Sequence, residues 1–221
     1  ACRSSTSCAG GSGGRTGAPF FYAGWIGFAL FAEPLLCLDA KTGRRKWHFQ
    51  IVHHGLWDHD NSSASLLIDA NIDGKPRKLL AQASRNGKFF VLDRVTGRAL
   101  ISTDYVTTNW SLGFDEKGQP IPNPAKHPQV DGALVTPNQG GATNWPSPSF
   151  SPVTGLFYVS AAQAYSVWYI YDAGKNPMGW GGTDRGGWSQ NMVKAIDYKT
   201  GKVRWTHNWE GSGLSGLLST A

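Results

Sequence analysis

Cysteine, methionine and single-sign charge runs are all scarce in this 221-residue chain, and each scarcity excludes something. Its three cysteines (Cys2, Cys8 and Cys37) are an odd number, show no CxxC spacing and have no histidine at zinc-ligand distance. Neither a disulfide framework nor a structural zinc site is indicated. Two methionines and few Leu/Glu/Lys-rich stretches argue against packed amphipathic helices. The 21 Lys and Arg never form a run of four, so a formal net charge of +6 marks no nucleic-acid footprint, and nucleic acid is not an expected partner. A diffuse basic excess suits encounter with an acidic redox partner.

Long apolar runs are equally short. The longest, Pro19–Ala32 (PFFYAGWIGFALFA), is too short to span a bilayer, so no membrane span is expected. Arg3 and Arg15 ahead of it would suit a signal peptide, but the run continues without a polar spacer into Glu33, Pro34 and a strand-like LLCLD. Residues 1–35 therefore read as an atypical or damaged N-terminal segment. At the other end Ser212–Ala221 (SGLSGLLSTA) stops in mid-pattern, as a piece of a longer protein does.

Present instead are 28 Gly, 12 Pro and 10 Trp, the composition of short strands joined by tight turns. A phrase recurs: strand, Asp, two residues, Thr-Gly, second strand. It reads CLDAKTGRRKW (Cys37–Trp47), VLDRVTGRALI (Val91–Ile101) and AIDYKTGKVRW (Ala195–Trp205). A degenerate copy, FSPVTGLFYV (Phe150–Val159), carries Ser151 in place of Asp. Asp39, Asp93, Ser151 and Asp197 follow one another at 54, 58 and 46 residues. Asp can bond turn amides and Gly takes the positive φ of a tight hairpin, so each phrase predicts one hairpin. Units of this spacing cannot bury both faces alone and stack radially. The prediction is an all-β chain, 36–221 being an arc of about four β-propeller blades from a larger ring. Two insertions, Thr107–Pro146 and Tyr171–Gln190, are expected as loops over one face.

The densest polar cluster follows the first phrase: His53, His54, Trp57, Asp58, His59, Asp60 and Asn61. In an extended segment Asp58 and Asp60 point the same way and could ligate a hard cation or act as base. The alternative is a polar turn with aromatic anchors, in which Asp60 only caps the turn before Asn61. His53 and His54, adjacent on a strand, face opposite sides and read as scaffold.

KWHFQIVHHGLWDHD, then SRNGKFFVLDRVTG, then GGATNWPSPSFSPVTGLFYV closely resembles the quinoprotein alcohol dehydrogenases, which use pyrroloquinoline quinone (PQQ) and include methanol and ethanol dehydrogenases. The repeated phrase is similar to their Trp-docking motif, with Ile101 in place of Trp in the second copy. The resemblance implies a periplasmic eight-bladed propeller holding PQQ and a calcium or lanthanide ion, oxidising an alcohol to an aldehyde and passing electrons to a cytochrome c-type acceptor. It implies Asp58 as base and metal-proximal carboxylate, Arg85 beside the quinone carbonyls, Asn144 in contact with the cofactor and Trp145 packed beside Asn144. Asp60 resembles the second acidic position of lanthanide-dependent members, with His59 where Tyr is usual.

Departures accompany the resemblance. A further Glu and Asn ligand, an adjacent-cysteine disulfide and a sandwiching Trp are implied upstream, yet no Asn precedes Asn61 and no Cys-Cys pair occurs. The chain alone is expected not to assemble a competent site. A PQQ-dependent sugar dehydrogenase of the glucose type shares the His-His-x-x-Trp-Asp-x-Asp pattern, although Gly-Gly-Ala-Thr-Asn-Trp favours the alcohol branch. A non-catalytic propeller scaffold would leave Asp58, Arg85 and Asn144 as coincidences.

Overall fold

The structure, a computed structural model, describes residues 6–9, 34–53, 55–72, 74–170, 182–211 and 213–220. Most of the segment 1–35, as well as His54 and residues 171–181, lies outside the described residues.

Among the described residues three antiparallel blade-like sheets and one two-stranded hairpin follow along the chain. The first contains β1 (Thr6–Ala9), β2 (Pro34–Asp39) and β3 (Arg45–Gln50) in that order. A four-stranded meander follows, made of β4 (Leu66–Ile72), β5 (Lys75–Ala83), β6 (Lys88–Asp93) and β7 (Ala99–Asp104). A small hairpin, β8 (Ser111–Phe114) with β9 (Pro120–Pro122), and a single 3-10 turn at Pro124–Lys126 precede the last sheet. That sheet runs β10 (Ala133–Val135), β12 (Leu156–Ile170), β13 (Gly182–Asp197) and β14 (Val203–Trp209), with β11 (Ser149–Ser151) also paired to β12.

The propeller arc expected from the repeats is the observed architecture, but the four phrases occupy three sheets. Phe150–Val159 forms the β11–β12 hairpin, and β12 pairs with β13 of the next phrase from Leu156↔Asp197 onward. Two phrases therefore share one sheet. The other surprise is Tyr171–Gln190, anticipated as a loop from its glycines. Residues 182–190 instead continue β13, paired with β12 through Tyr169↔Thr183 and Trp168↔Asp184. Cross-strand aromatics such as Tyr165 and Trp188, with ring centroids 6.0 Å apart, outweigh the weak strand preference of glycine there. Within Thr107–Pro146, β8, β9 and β10 are strands, Pro124–Lys126 is the 3-10 turn and the rest is irregular.

The hairpin chemistry is as the phrase demands. Asp39 Oδ1 accepts from the amides of Lys41 and Thr42, and Asp93 Oδ1 from those of Val95 and Thr96, at 2.9–3.2 Å. Ser151 does the same job with one long bond, from the Thr154 amide at 3.4 Å. Gly43, Gly97, Gly155 and Gly201 all sit at φ +67° to +76°, where a Cβ is disfavoured.

Stacking uses both faces of the middle sheet. Leu80, Phe90 and Leu92 join Leu35, Cys37, Trp47 and Phe49 of the first sheet in one core. Leu79, Ala81, Phe89 and Val91, alternating with them, join Phe157, Met192 and Ile196 of the third sheet in another. This is why β6 reads as an unbroken apolar run rather than an alternation. Trp47 donates from Nε1 to Arg94 O at 3.0 Å and lies where a Cβ on Gly97 would fall, 2.6 Å from its ring. Ile101 occupies the matching place over Gly201, so the aliphatic substitute still docks on the next glycine.

Candidate functional site

Two stretches from different sheets build the polar cluster. The first is the irregular segment 56–61 that follows β3, anchored by the fully buried indole of Trp57, whose Nε1 donates to Lys126 O at 3.1 Å. The second is the β5–β6 turn, Ser84–Gly87. There Gly87 takes φ +86° and its amide bonds Ser84 O at 3.0 Å, projecting Arg85 from the end of the blade.

Arg85 is the hub. Its Nη2 donates to Asp58 Oδ2 at 3.2 Å, and its Nη1 is ion-paired with Asp60 Oδ1. Nε and Nη2 both donate to Gln139 O, at 3.1 and 2.5 Å. Gln139 returns a bond from its side-chain amide to Asp58 Oδ2 at 3.3 Å. The guanidinium thus clamps both carboxylates, though not for the reason the sequence offered. Residues 58–60 form no strand, and Asp58 sits in the left-handed region at φ +56°, an uncommon conformation for a residue with a Cβ. The ion pair with Arg85 claims the Asp60 side chain, and the turn bond from the Ser62 amide goes to the Asp60 backbone oxygen instead.

Asn144 reaches the same neighbourhood through the loop 138–144. Its Oδ1 accepts from Ser62 Oγ at 2.8 Å, and its Nδ2 donates to Gly140 O at 3.1 Å. Gly141, at φ +81°, lets that loop lie against Arg85; a Cβ there would overlap Arg85 Cγ and stand 2.7 Å from the Arg85 carbonyl oxygen. The Ala142 amide then donates to that oxygen at 2.8 Å. Asp58, Asp60, Arg85 and Asn144 therefore come together. Trp145 is 81 % exposed, and no hydrogen bond or ring contact ties it to the others among the described residues.

Burial pushes the Asp58 carboxyl above the usual carboxylate range; the Arg85 charge opposes this, while the neighbouring Asp60 adds to the rise. His59, between the two acids in sequence, is wholly buried. Its Nε2 donates to Asn138 O at 3.0 Å, and burial drives its pKa down to about 3, so the ring is neutral. Both hydrogen bonds to Asp58 fall on Oδ2, leaving Oδ1 without one among the described residues. Two carboxylates against one guanidinium leave one surplus negative charge in hard oxygen donors. Among the described residues no group of three or more His, Cys, Asp or Glu converges on one point.

Sequence reasoning missed Gln139, Ser62 and Trp110. Only the paired glycines after Gln139 hinted that its backbone must approach something closely. His53 is partly buried.

Comparison with known proteins places this fold in a class, that of the quinoprotein-type propellers. Residues 16–129 match the family model described as PQQ, glucose/ethanol/alcohol dehydrogenase, beta-propeller domain, and the chain belongs to that family. Among its relatives, the quinohemoprotein alcohol dehydrogenase of Comamonas testosteroni is 39% identical over 132 residues, 60% of this chain and 19% of that protein. A quinoprotein alcohol dehydrogenase of Pseudomonas putida is 32% identical over 205 residues, 86% of this chain and 34% of its own length. The solved Comamonas testosteroni enzyme superposes with a TM-score of 0.76 at 29% identity, covering 86% of this chain and 31% of the other. A europium-containing methanol dehydrogenase gives 0.68 at 25% identity, covering 80% and 33%. The chain spans about a fifth of the length of the first curated relatives it matches.

Proposed function

We propose that this chain carries the base and part of the cofactor pocket of a PQQ- and metal-dependent dehydrogenase that oxidises alcohols to aldehydes and delivers electrons to a cytochrome c-type acceptor. The observation that carries the reading is the clamp of Asp58 and Asp60 on Arg85, built by three segments far apart in sequence. Each of the two relatives above bears the name of an alcohol dehydrogenase, and one solved neighbour contains europium.

The residues present fit such a group in their chemistry. A hard cation takes six to eight oxygen ligands. Asp58 and Asp60 supply two carboxylates and a surplus negative charge, and the remaining ligands would come from elsewhere in the protein. Arg85, ion-paired with both acids, presents a guanidinium suited to hydrogen-bonding a quinone oxygen. When bound, PQQ supplies the hydride acceptor and the metal ion an electrophile.

The chain's own residues hold and move the proton. Asp58 Oδ1 is the acceptor for the alcohol hydroxyl proton, while Arg85 and Gln139 fix the carboxylate through Oδ2. A carboxyl raised toward the working pH is a better base than one left in the ordinary range. Asn144, steadied by Ser62, offers a polar contact to the cofactor; Trp145, exposed on this chain, would reach it only as part of the complete pocket. No helix among the described residues is long and apolar enough to cross a membrane, and the periplasm is the compartment we assign.

The test is alcohol-dependent reduction of cytochrome c by the full-length protein containing this chain, supplied with PQQ and either calcium or a lanthanide. Asp58→Asn should abolish turnover with both metals and leave folding intact. Turnover retained in Asp58→Asn would remove the base assignment.

A further inference from the structure

We infer that Trp110 is the positioning residue that holds the two halves of the Asp58–Arg85–Asp60 clamp in register, an inference that rests on the function proposed above. The halves come from separate stretches, 57–60 and 84–87, and Trp110 touches both while belonging to neither. Its Nε1 donates to Asn86 O at 2.8 Å, the residue next to Arg85. Its ring centroid lies 5.5 Å from that of Trp57 and 6.1 Å from that of His59, the two side chains that flank Asp58. One flat side chain therefore sets the distance between the carboxylate arm and the guanidinium arm.

The indole is itself braced. Lys88, fully buried, places its ammonium 5.3 Å from the Trp110 ring centroid and 5.0 Å from that of Phe114. Asp104 at 2.5 Å and Thr108 at 2.8 Å hold that ammonium, supplying the partners a buried charge requires. The Asn123 amide bonds the Trp110 carbonyl at 2.7 Å, so backbone and ring are both fixed. Only an indole combines a ring wide enough to meet two aromatic neighbours with a donor for Asn86 O.

The consequence is kinetic. A reacting group misplaced by about 1 Å can lose ~10²-fold in rate. In the full-length protein Trp110→Leu should lower kcat by about 10²-fold while KM changes less than about threefold. Trp110→Phe, which keeps a ring but loses the N–H, should lose only about tenfold. Hydrogen exchange read by mass spectrometry on the peptide spanning 138–144 should speed up about tenfold in Trp110→Leu, because the Ala142 amide bonds the Arg85 carbonyl. Trp205→Leu, an indole lost from β14 outside both core clusters, should leave that exchange unchanged. Wild-type exchange and kcat in a folded Trp110→Leu would overturn the inference. If that variant does not fold, unchanged kcat and exchange in Trp110→Phe overturn it instead. Faster exchange in a protein whose wild type oxidises no alcohol would support the positioning role and sink the proposed function alone.

Discussion

Acid should destabilise this protein through His59, by an amount that can be worked out. The ring is fully buried with Nε2 committed to Asn138 O, and its pKa falls to about 3 from an ordinary value of 6.5. Between those two values the unfolded chain binds a proton that the folded chain refuses. Stability from this group is fully present above 6.5 and is lost as pH falls toward 3, at about 1.4 kcal/mol per pH unit. Near pH 5 the loss is about 2 kcal/mol, a large share of the 5–15 kcal/mol typical of a folded domain. Urea unfolding of the wild type and His59→Gln at a series of pH values would measure it. The amide of Gln can still donate toward Asn138 O but takes up no proton, so its stability should fall less steeply by about one proton's worth. Parallel profiles for the two proteins would refute the buried, neutral imidazole.

Other expectations follow from single contacts. Trp47→Ala should cost about 3–5 kcal/mol in urea unfolding, since it empties the seat between the first two sheets, whereas exposed Trp145→Ala should cost under about 0.5 kcal/mol. Gly141→Ala should displace Arg85, and a crystal structure of that variant should show the Asp58–Arg85 bond broken, accompanied by an activity loss of about tenfold or more. If Asp60 is a metal ligand, Asp60→Ala should lower lanthanide-supported alcohol oxidation much more than calcium-supported oxidation, because the lost carboxylate matters more to a trivalent ion. Equal loss with both metals would return Asp60 to the role of partner for Arg85.

The hairpins were legible because their chemistry is local: Asp39, Asp93 and Asp197 act on amides two or three residues away. Which phrases share a blade was not, since whether Phe150–Val159 opens its own sheet depends on what β12 pairs with 41 residues after Leu156, at Asp197. Similarly, the glycines of 182–190 hid a strand that only its partner Val167–Ile170 reveals. Asp58, Asp60, Arg85 and Asn144 could be singled out as residue types, and the resemblance implied that Asp58, Arg85 and Asn144 lie near one another, but the backbone geometry of that meeting could not be read. It depends on Gln139 and Gly141, whose backbone approach leaves no mark on side-chain chemistry, and on a left-handed Asp58 that no spacing rule anticipates.

What the proposed function requires is that the clamp around Arg85 be a cofactor and metal centre rather than a surface ion-pair cluster. Its most direct test is calorimetric titration of PQQ into the full-length, metal-loaded protein, wild type against Arg85→Ala. Stoichiometric binding by the wild type, weakened at least about tenfold in the variant, is the predicted result. Equal affinity in both proteins, or no binding of PQQ by the wild type, would contradict it.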